Sequence, residues 1–498
     1  MKGTTSASNT ARLRTWRRWL VVYKSYGLAV VLAVLLLPYL ALCFYNQPYW
    51  DDYGNAALAR DRGWWPTLGH LYKTWTGRYT AGLWLTLLNP LTYGWEAGIR
   101  WFALALFMAT GAVQAFALRT LTRDRLGWGA ALVWSGVWLL GQLYTMPSVN
   151  SGFYWFASTV TYQVATLLLV LVPVACLRAG RAVGSWTPAS WYALAVAAAV
   201  GVAGSNEVAL ILLLWLLTIL TIRTWLHSPA RAGDRHRWLG LLLVTLVAGA
   251  VAVLAPGNSA RLVYEGKGVS PGAIGMVAQA CKFTLIFLSE PRQLTALVVA
   301  PVLVGGLGFR LRPWRPAGLR LPLPLGIGIV LIGLWGAFLL LSRTTGYPAV
   351  RTLNPLWFWL LSGWLLALWA ALPDGPSLQE AQWRRCFVLL RAPVLVYVAL
   401  LSVGGVERAA WNEWLWNASS WKAQLEARSR VIHAARARGQ RAVIVEGIQI
   451  LTPRYVLVLG EPLSDNPGSD LNRAVADWYQ VDSLWVQRPY LKEFDLNR

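Results

Sequence analysis

Apolar runs of bilayer-spanning length recur along most of this chain, separated by short polar turns. A hydrocarbon core needs about 20 apolar residues of helix, and a backbone in lipid must satisfy its own hydrogen bonds. Each run therefore predicts a helix, at about 28–45, 98–118, 127–146, 153–177, 189–204, 206–222, 238–255, 291–309, 322–341, 353–372 and 386–404. Two further apolar stretches, about 79–95 and 274–290, break the charge pattern if they cross, so they are read as juxtamembrane or re-entrant elements. With them outside the count the chain makes about eleven crossings, and with both inside it about thirteen.

Charge fixes the expected orientation. With the N-terminus in the cytoplasm, the clusters Arg119/Arg123/Arg125, Arg178/Arg181, Arg223/Arg231/Arg235/Arg237, Arg310/Arg312/Arg315/Arg320 and Arg384/Arg385 all fall on the cytoplasmic face. That is the positive-inside rule. The outer face then receives the loop 46–97 and the turns near 146–154, 205–207, 255–272 and 342–352, together with everything after about residue 405.

The last segment changes period. Arg428–Arg438 reads as a basic amphipathic helix, and Leu471–Tyr479 as a second helix. Ala442–Val445, Tyr455–Leu459 and Ser483–Val486 read as short strands. The predicted fold class is thus an all-α polytopic membrane protein with a small C-terminal extracytoplasmic α/β domain. Its parts are a basic cytoplasmic N-terminus (1–27), a transmembrane domain (28–404) and the outer domain (405–498).

Composition agrees. Of 498 residues, 56% are hydrophobic and 13% charged, with a mean hydropathy of +0.44; a soluble domain does not have this profile. Thirty-one Trp residues fit interfacial anchoring. The net charge of +23 would suggest nucleic acid in a soluble chain; here Arg-rich cytoplasmic loops account for it, and nucleic-acid binding is not expected. The basic residues before Leu28 resemble a signal-peptide n-region, but the apolar run after them is too long and no small-x-small cleavage site follows. Leu40-Ala41-Leu42-Cys43 is a poor lipoprotein box because Leu42 stands where a small residue is needed. Cys43, Cys176, Cys281 and Cys386 make no Cys-x-x-Cys pair, and the four histidines have no ligand spacing. There is no Walker loop, His-Glu-x-x-His or Gly-x-Ser-x-Gly.

The chemistry-bearing residues gather on the expected outer face. Asp51 and Asp52 follow the first span directly, in Tyr49-Trp50-Asp51-Asp52-Tyr53. They suit a helix cap, but one aspartate suffices for that. The sharper reading is a general base or a divalent-cation ligand (Mg or Mn). Arg78, in Trp75-Thr76-Gly77-Arg78, either snorkels to lipid headgroups or holds a phosphate with its guanidinium fork. Asn206-Glu207 sits between two spans as a cap or a site. Ala255-Pro256-Gly257-Asn258 leads to Arg261, and Tyr347-Pro348-Ala349-Val350 leads to Arg351. Several outer arginines beside Gly/Pro turns suggest a rim for an anionic lipid headgroup.

These motifs, in this order, resemble the GT-C superfamily of membrane glycosyltransferases, and within it a poorly characterised bacterial membrane family. The series is Asp-Asp-Tyr, Trp-x-Gly-Arg, Ser-Asn-Glu, Ala-Pro-Gly-Asn-x-x-Arg, Tyr-Pro-x-x-Arg and the C-terminal Leu471-Asn472-Arg473-Ala474-Val475-Ala476-Asp477-Trp478-Tyr479. The resemblance spans most of the chain. It implies a multi-pass protein of the bacterial cytoplasmic membrane that binds a polyprenyl-phosphate-linked sugar at its outer face. The sugar would pass to a glycan, lipid or protein acceptor. Asp51 or Asp52 would serve as catalytic base; Tyr53, Arg78, Asn206, Glu207, Asn258, Arg261, Tyr347 and Arg351 would bind substrate. The later acidic motif of metal-requiring members has only Glu207, Glu265 and Glu290 as counterparts, so no cofactor is required by the resemblance. Two rivals remain: a transporter or flippase of lipid-linked glycans, expected to place ionisable residues near the midplane, and a polymerase or ligase using the arginines without the aspartates.

Overall fold

The computed structural model describes residues 27–181, 186–226, 232–264, 272–311, 320–372, 405–449, 456–458 and 460–487. The predicted span 386–404 and the N-terminal basic segment lie outside them. Seven described helices are long and apolar enough to cross a membrane: α1 (Gly27–Tyr45), α5 (Gly98–Leu121), α7 (Phe156–Ala179), α9 (Glu207–Leu226), α10 (Gly233–Val253), α14 (Leu323–Thr344) and α15 (Val350–Ala370). The chain is therefore a helical, multi-pass membrane protein, with fewer described crossings than the apolar runs suggested. α6 (Trp128–Thr145) is only 18 residues long and carries Ser135 and Gln142 inside, and α8 (Pro188–Ala203) is only 16 residues long. α12 (Ala273–Ser289) and the start of α13 (Pro291–Leu311) count as at most one crossing, because they bend by 67° at Glu290.

The segment 79–95 contains no span. α4 (Tyr79–Thr86) has 8 residues, and a 3-10 turn, Pro90–Tyr93, follows it. Before it come α2 (Trp50–Arg62) and α3 (Trp64–Thr74), separated by Gly63 at φ 81°, a conformation glycine adopts without strain. The loop is thus a set of short helices laid over one end of the bundle.

Packing uses tryptophan in a way composition did not indicate. Trp357 is fully buried. The indoles of Trp215, Trp359 and Trp364 donate to the carbonyls of Ile329, Val330 and Leu297 on neighbouring helices. A buried indole with an acceptor stabilises an interior contact as readily as an interfacial one. Gln114, Gln142 and Gln163 form an amide chain across α5, α6 and α7, each link 3.3 Å.

The C-terminal segment begins with a helix, Val406–Asn412, continued through a π-turn into Ala418–Ala437. Strands β1 (Ala442–Val445) and β2 (Ser483–Val486) pair in parallel, Ala442 opposite Ser483. The chain crosses from β1 to β2 through the helix Asp470–Tyr479. The described part of the predicted middle strand, 456–458, is not a strand. Its three N–H groups instead donate to the buried Glu413 carboxylate at 2.6, 2.8 and 3.0 Å. This unit shares its core with the first loop: Val443, Val475 and Leu484 pack in one cluster with Ala56, Leu91 and Phe156. Trp50 donates to the Asp470 carbonyl and Arg60 to that of Trp478. The buried pair Arg428–Glu461, at 2.6 Å, ties the segment internally.

Candidate functional site

Three of the short motifs turn out to be one interlocked structure. A Cβ on Gly77 would lie 1.9 Å from the Ala252 carbonyl oxygen, and a Cβ on Gly257 would lie 2.6 Å from the amides of Trp75 and Thr76. Both glycines therefore permit two backbones to touch. Asn258 closes the contact: its Oδ1 accepts from the Gly77 N–H at 3.0 Å, and its Nδ2 donates to Ala252 at 2.8 Å. On the other side, the amides of Thr80 and Ala81 donate to the Gly204 carbonyl. Asn206 caps α9 by accepting from Ala209, and holds α7 by donating to Thr161. Asn258 and Asn206 both serve the scaffold here, and for Asn206 that is the capping alternative its position between two spans left open.

The lock decides where the charged side chains sit. Arg78, released just after Gly77, meets Glu207 at the start of α9, with contacts of 3.1 Å from Nε and 2.6 Å from Nη2. Tyr162 adjoins the same guanidinium. The fork proposed to hold a phosphate is already occupied by a carboxylate. Arg261, one turn beyond Asn258 in α11 (Pro256–Tyr264), stacks over Trp75 at 5.1 Å. Arg351, in the first turn of α15, stacks over Trp155 at 5.3 Å, and its Nη1 is buried with no hydrogen-bond partner among the described residues.

The two aspartates divide the work. Asp52 is fully buried. One of its oxygens accepts from Tyr49, closing the cap of α2, and the other accepts from Ala157 at the start of α7, both at 2.8 Å. Burial pushes its carboxyl up to about 8, against the pull of those two amides. Asp52 is a rivet between two helices. Asp51 is only half-buried, and its carboxylate makes no hydrogen bond or ion pair among the described residues. Burial pushes its carboxyl up as well, and the positive charges of Arg351 and then Arg261 pull it back. Asp51, Arg351 and Arg261 therefore share one electrostatic neighbourhood, with the Arg78–Glu207 pair beside it, since Arg261 also acts on Glu207.

Tyr53 faces elsewhere. Residues two apart on a helix point to nearly opposite sides, and Tyr53 packs against Trp478 and Tyr479 with ring centroids 5.3 and 6.1 Å away. The Tyr-Pro-x-x-Arg turn brings Arg351 in, while Tyr347 is 40% exposed. Among the described residues no three His, Cys, Asp or Glu side chains come together as a cation cage. The charges of Arg351 and Arg261 act on Asp51, an environment unfavourable to a divalent cation, so the described residues do not fit Mg or Mn.

Sequence reasoning missed Ala157, whose contribution is a backbone N–H. It also missed Tyr162, although the polar start of α7, Ser158-Thr159-Val160-Thr161-Tyr162-Gln163, was an available signal. No protein-family model, no curated protein and no solved structure matches this chain.

Proposed function

We propose that this chain is a GT-C-type membrane glycosyltransferase that moves a sugar from a polyprenyl-phosphate-linked donor to an acceptor hydroxyl at the extracytoplasmic face of a bacterial cytoplasmic membrane. One observation carries the reading. Of the aspartate pair, only Asp51 has a carboxylate without a hydrogen bond among the described residues, and the positive charges of Arg351 and Arg261 act on it. A carboxylate spared from structural duty beside an unpaired arginine nitrogen suits a base facing an anion.

In this reading Asp51 takes the proton of the acceptor hydroxyl. The acceptor oxygen attacks the anomeric carbon, the bond from that carbon to the phosphate oxygen breaks, and polyprenyl phosphate leaves with the electron pair, inverting the centre. Negative charge grows on the leaving phosphate, where Arg351 and Arg261 are preorganised; such groups are worth about 3 kcal/mol each in a water-poor site. Asp52, Asn206, Asn258 and the Arg78–Glu207 pair position these residues without touching the reacting atoms.

The test is incubation of purified protein with a panel of labelled polyprenyl-phosphate sugars, scoring transfer to endogenous or added acceptors. Turnover of one donor, with inversion at the anomeric carbon, supports the assignment. Lipid scrambling in liposomes without any sugar transfer overturns it in favour of a flippase.

A further inference from the structure

The outward face of α10 does not stop where the helix stops. Leu243, Leu246, Val247, Ala250 and Val251 are all exposed, and their spacing puts them on one strip of the helix. Leu254, just past the end of α10, is exposed as well. No charged residue occurs between Arg237 and Arg261. On a helix long and apolar enough to cross a membrane, this strip is the side that meets lipid.

Two short helices are pinned at the level where the strip ends. The last carbonyls of an α-helix have no partner inside it. Here the Val251 carbonyl accepts from the Tyr72 hydroxyl of α3 at 2.8 Å. The Ala252 and Val253 carbonyls accept from Nδ2 of Asn258, in α11, at 2.8 and 3.0 Å. α3 has 11 residues and α11 has 9, too few to cross a bilayer themselves.

Their free surface is aromatic and basic. Trp64 and Trp65 are exposed and meet edge to face, with centroids 5.5 Å apart. Trp75, directly after α3, meets Tyr264, the last residue of α11, at 5.8 Å. Tyr264 and its neighbour Val263 are exposed too. Arg62, just before α3, and Lys73, in its last turn, are also exposed. Rings with an apolar body and a polar tip, set beside cations, favour the boundary between headgroups and acyl chains over water or hydrocarbon.

We propose that α3 and α11 form a platform seated in the lipid leaflet around this end of α10, with the Trp64–Trp65 pair and Val263–Tyr264 at the boundary of headgroups and acyl chains. Continuity decides the occupant. The lipid-facing strip of α10 runs into the platform, and hydrogen bonds to three successive carbonyls fix the platform's height on that helix. A platform at this depth sets the Arg261 side of the candidate site, stacked on Trp75, against the leaflet rather than bulk water. The proposal stands whether or not the chain transfers a sugar.

The test places benzoylphenylalanine, a photoreactive residue that inserts into nearby C–H bonds, at one of three positions. These are Trp65, Val247 on the α10 strip, and Arg441, whose side chain is exposed on the C-terminal segment. Each full-length protein is checked for an unchanged melting temperature and reconstituted in liposomes of phosphatidylcholine and phosphatidylglycerol carrying a trace of labelled phospholipid. Irradiation should attach lipid at position 65 as strongly as at 247, and about tenfold more than at 441, as an in-plane helix sunk into the leaflet requires. Lipid labelling at 65 no higher than at 441 overturns the platform. So does an adduct of twice the protein's mass in place of the lipid adduct, which assigns the tryptophans to a contact between copies of the chain.

Discussion

Two Asp–Arg groups lie at opposite ends of α7, and they are built on opposite plans. At the C-terminal end, Asp124 is clasped by Arg178 through two contacts of 2.6 Å and by Arg119 at 3.1 Å. Arg178 is buried and also donates to Thr120 at 2.9 Å. Arg123 and Asp124 both take positive φ, 53° and 58°, a strained conformation that the surrounding ion pairs hold in place. At the N-terminal end, Asp52 is saturated by amides, while the Asp51 carboxylate beside it makes no hydrogen bond among the described residues and lies in the field of Arg351 and Arg261. The distinction between the ends is satisfaction. Charges that serve the fold are fully paired, because an unpaired buried charge costs stability with no return. On the proposed function, the unpaired charge at the N-terminal end is the part that the substrate completes.

The sharpest way to break this contrast is to remove one carboxylate charge at each end. Asp51→Asn should leave melting temperature unchanged and lower sugar transfer by about 100- to 10,000-fold, the range for loss of a general base. Asp124→Asn should do the reverse: cost about 3 kcal/mol of stability by leaving Arg178 underpaired, with per-molecule activity of the folded fraction preserved. Full activity in the Asp51 variant would remove the proposed base. An unchanged melting temperature in the Asp124 variant would equally remove the distinction between the two ends.

Much of this was legible in the chain before the structure, and the limits have physical causes. The apolar runs located the helices because a bilayer demands length and hydrophobicity together. They gave more crossings than the described helices supply because α6 and α8 are short, whereas the stretch 274–290, set apart by charge, is indeed bent by 67° from the helix that follows it at Glu290. The motif series picked out residues that the fold brings close together: Gly77 and Asn258 share a hydrogen bond, and the charges of Arg261 and Arg351 both act on Asp51. It could not tell which side chains the fold itself would pair. Asp51 and Asp52 are identical in type and adjacent in sequence; only the roughly 100° step between successive helix positions sends one to the amide of Ala157 and leaves the other open. Arg78 looked like a phosphate fork because its partner, Glu207, lies 129 residues away in sequence. The C-terminal segment alternated like a small α/β domain, yet its buried face is completed by Ala56, Leu91 and Phe156 from elsewhere in the chain.

A smaller effect tests the scaffold directly. Gly77→Ala places a methyl group against the Ala252 carbonyl, 1.9 Å away, in a contact where both sides are backbone or Cβ and cannot swing aside. Overpacking of this kind should cost about 2 kcal/mol and displace Arg78 and Arg261 together, since both leave the same lock. Gly69→Ala, with nothing within 4 Å of the added carbon, is the control and should be silent. If the lock positions the site, Gly77→Ala loses transfer activity even below its melting point; thermal stability equal to that of Gly69→Ala would show that the two turns do not meet as described.

The smallest effect is in pH, and the two ends should again differ in sign. Burial raises the Asp52 carboxyl to about 8 and the Glu413 carboxyl to about 7, against their amide donors. A carboxyl raised in the folded state binds its proton more tightly there, so its contribution is complete below its unfolded value near 4 and is lost as pH climbs through 7 and 8. Asp124 is held below the usual range, because Arg178, Arg119 and Arg181 outweigh its burial; its contribution is complete near neutrality and fails only in acid. Between about pH 6 and 9 the melting temperature should therefore fall, driven by the Asp51 end, and Glu413→Gln should flatten that slope by roughly 1 kcal/mol across the interval. Asp124→Asn should lower the whole curve over the same range without changing its slope. Transfer activity should fall in acid as Asp51 takes up its proton, and do so above the usual carboxylate range because burial raises its carboxyl. A melting temperature that is flat or rising between about pH 6 and 9 would show that these carboxyls are solvated in solution rather than enclosed between the first loop, α7 and the C-terminal segment.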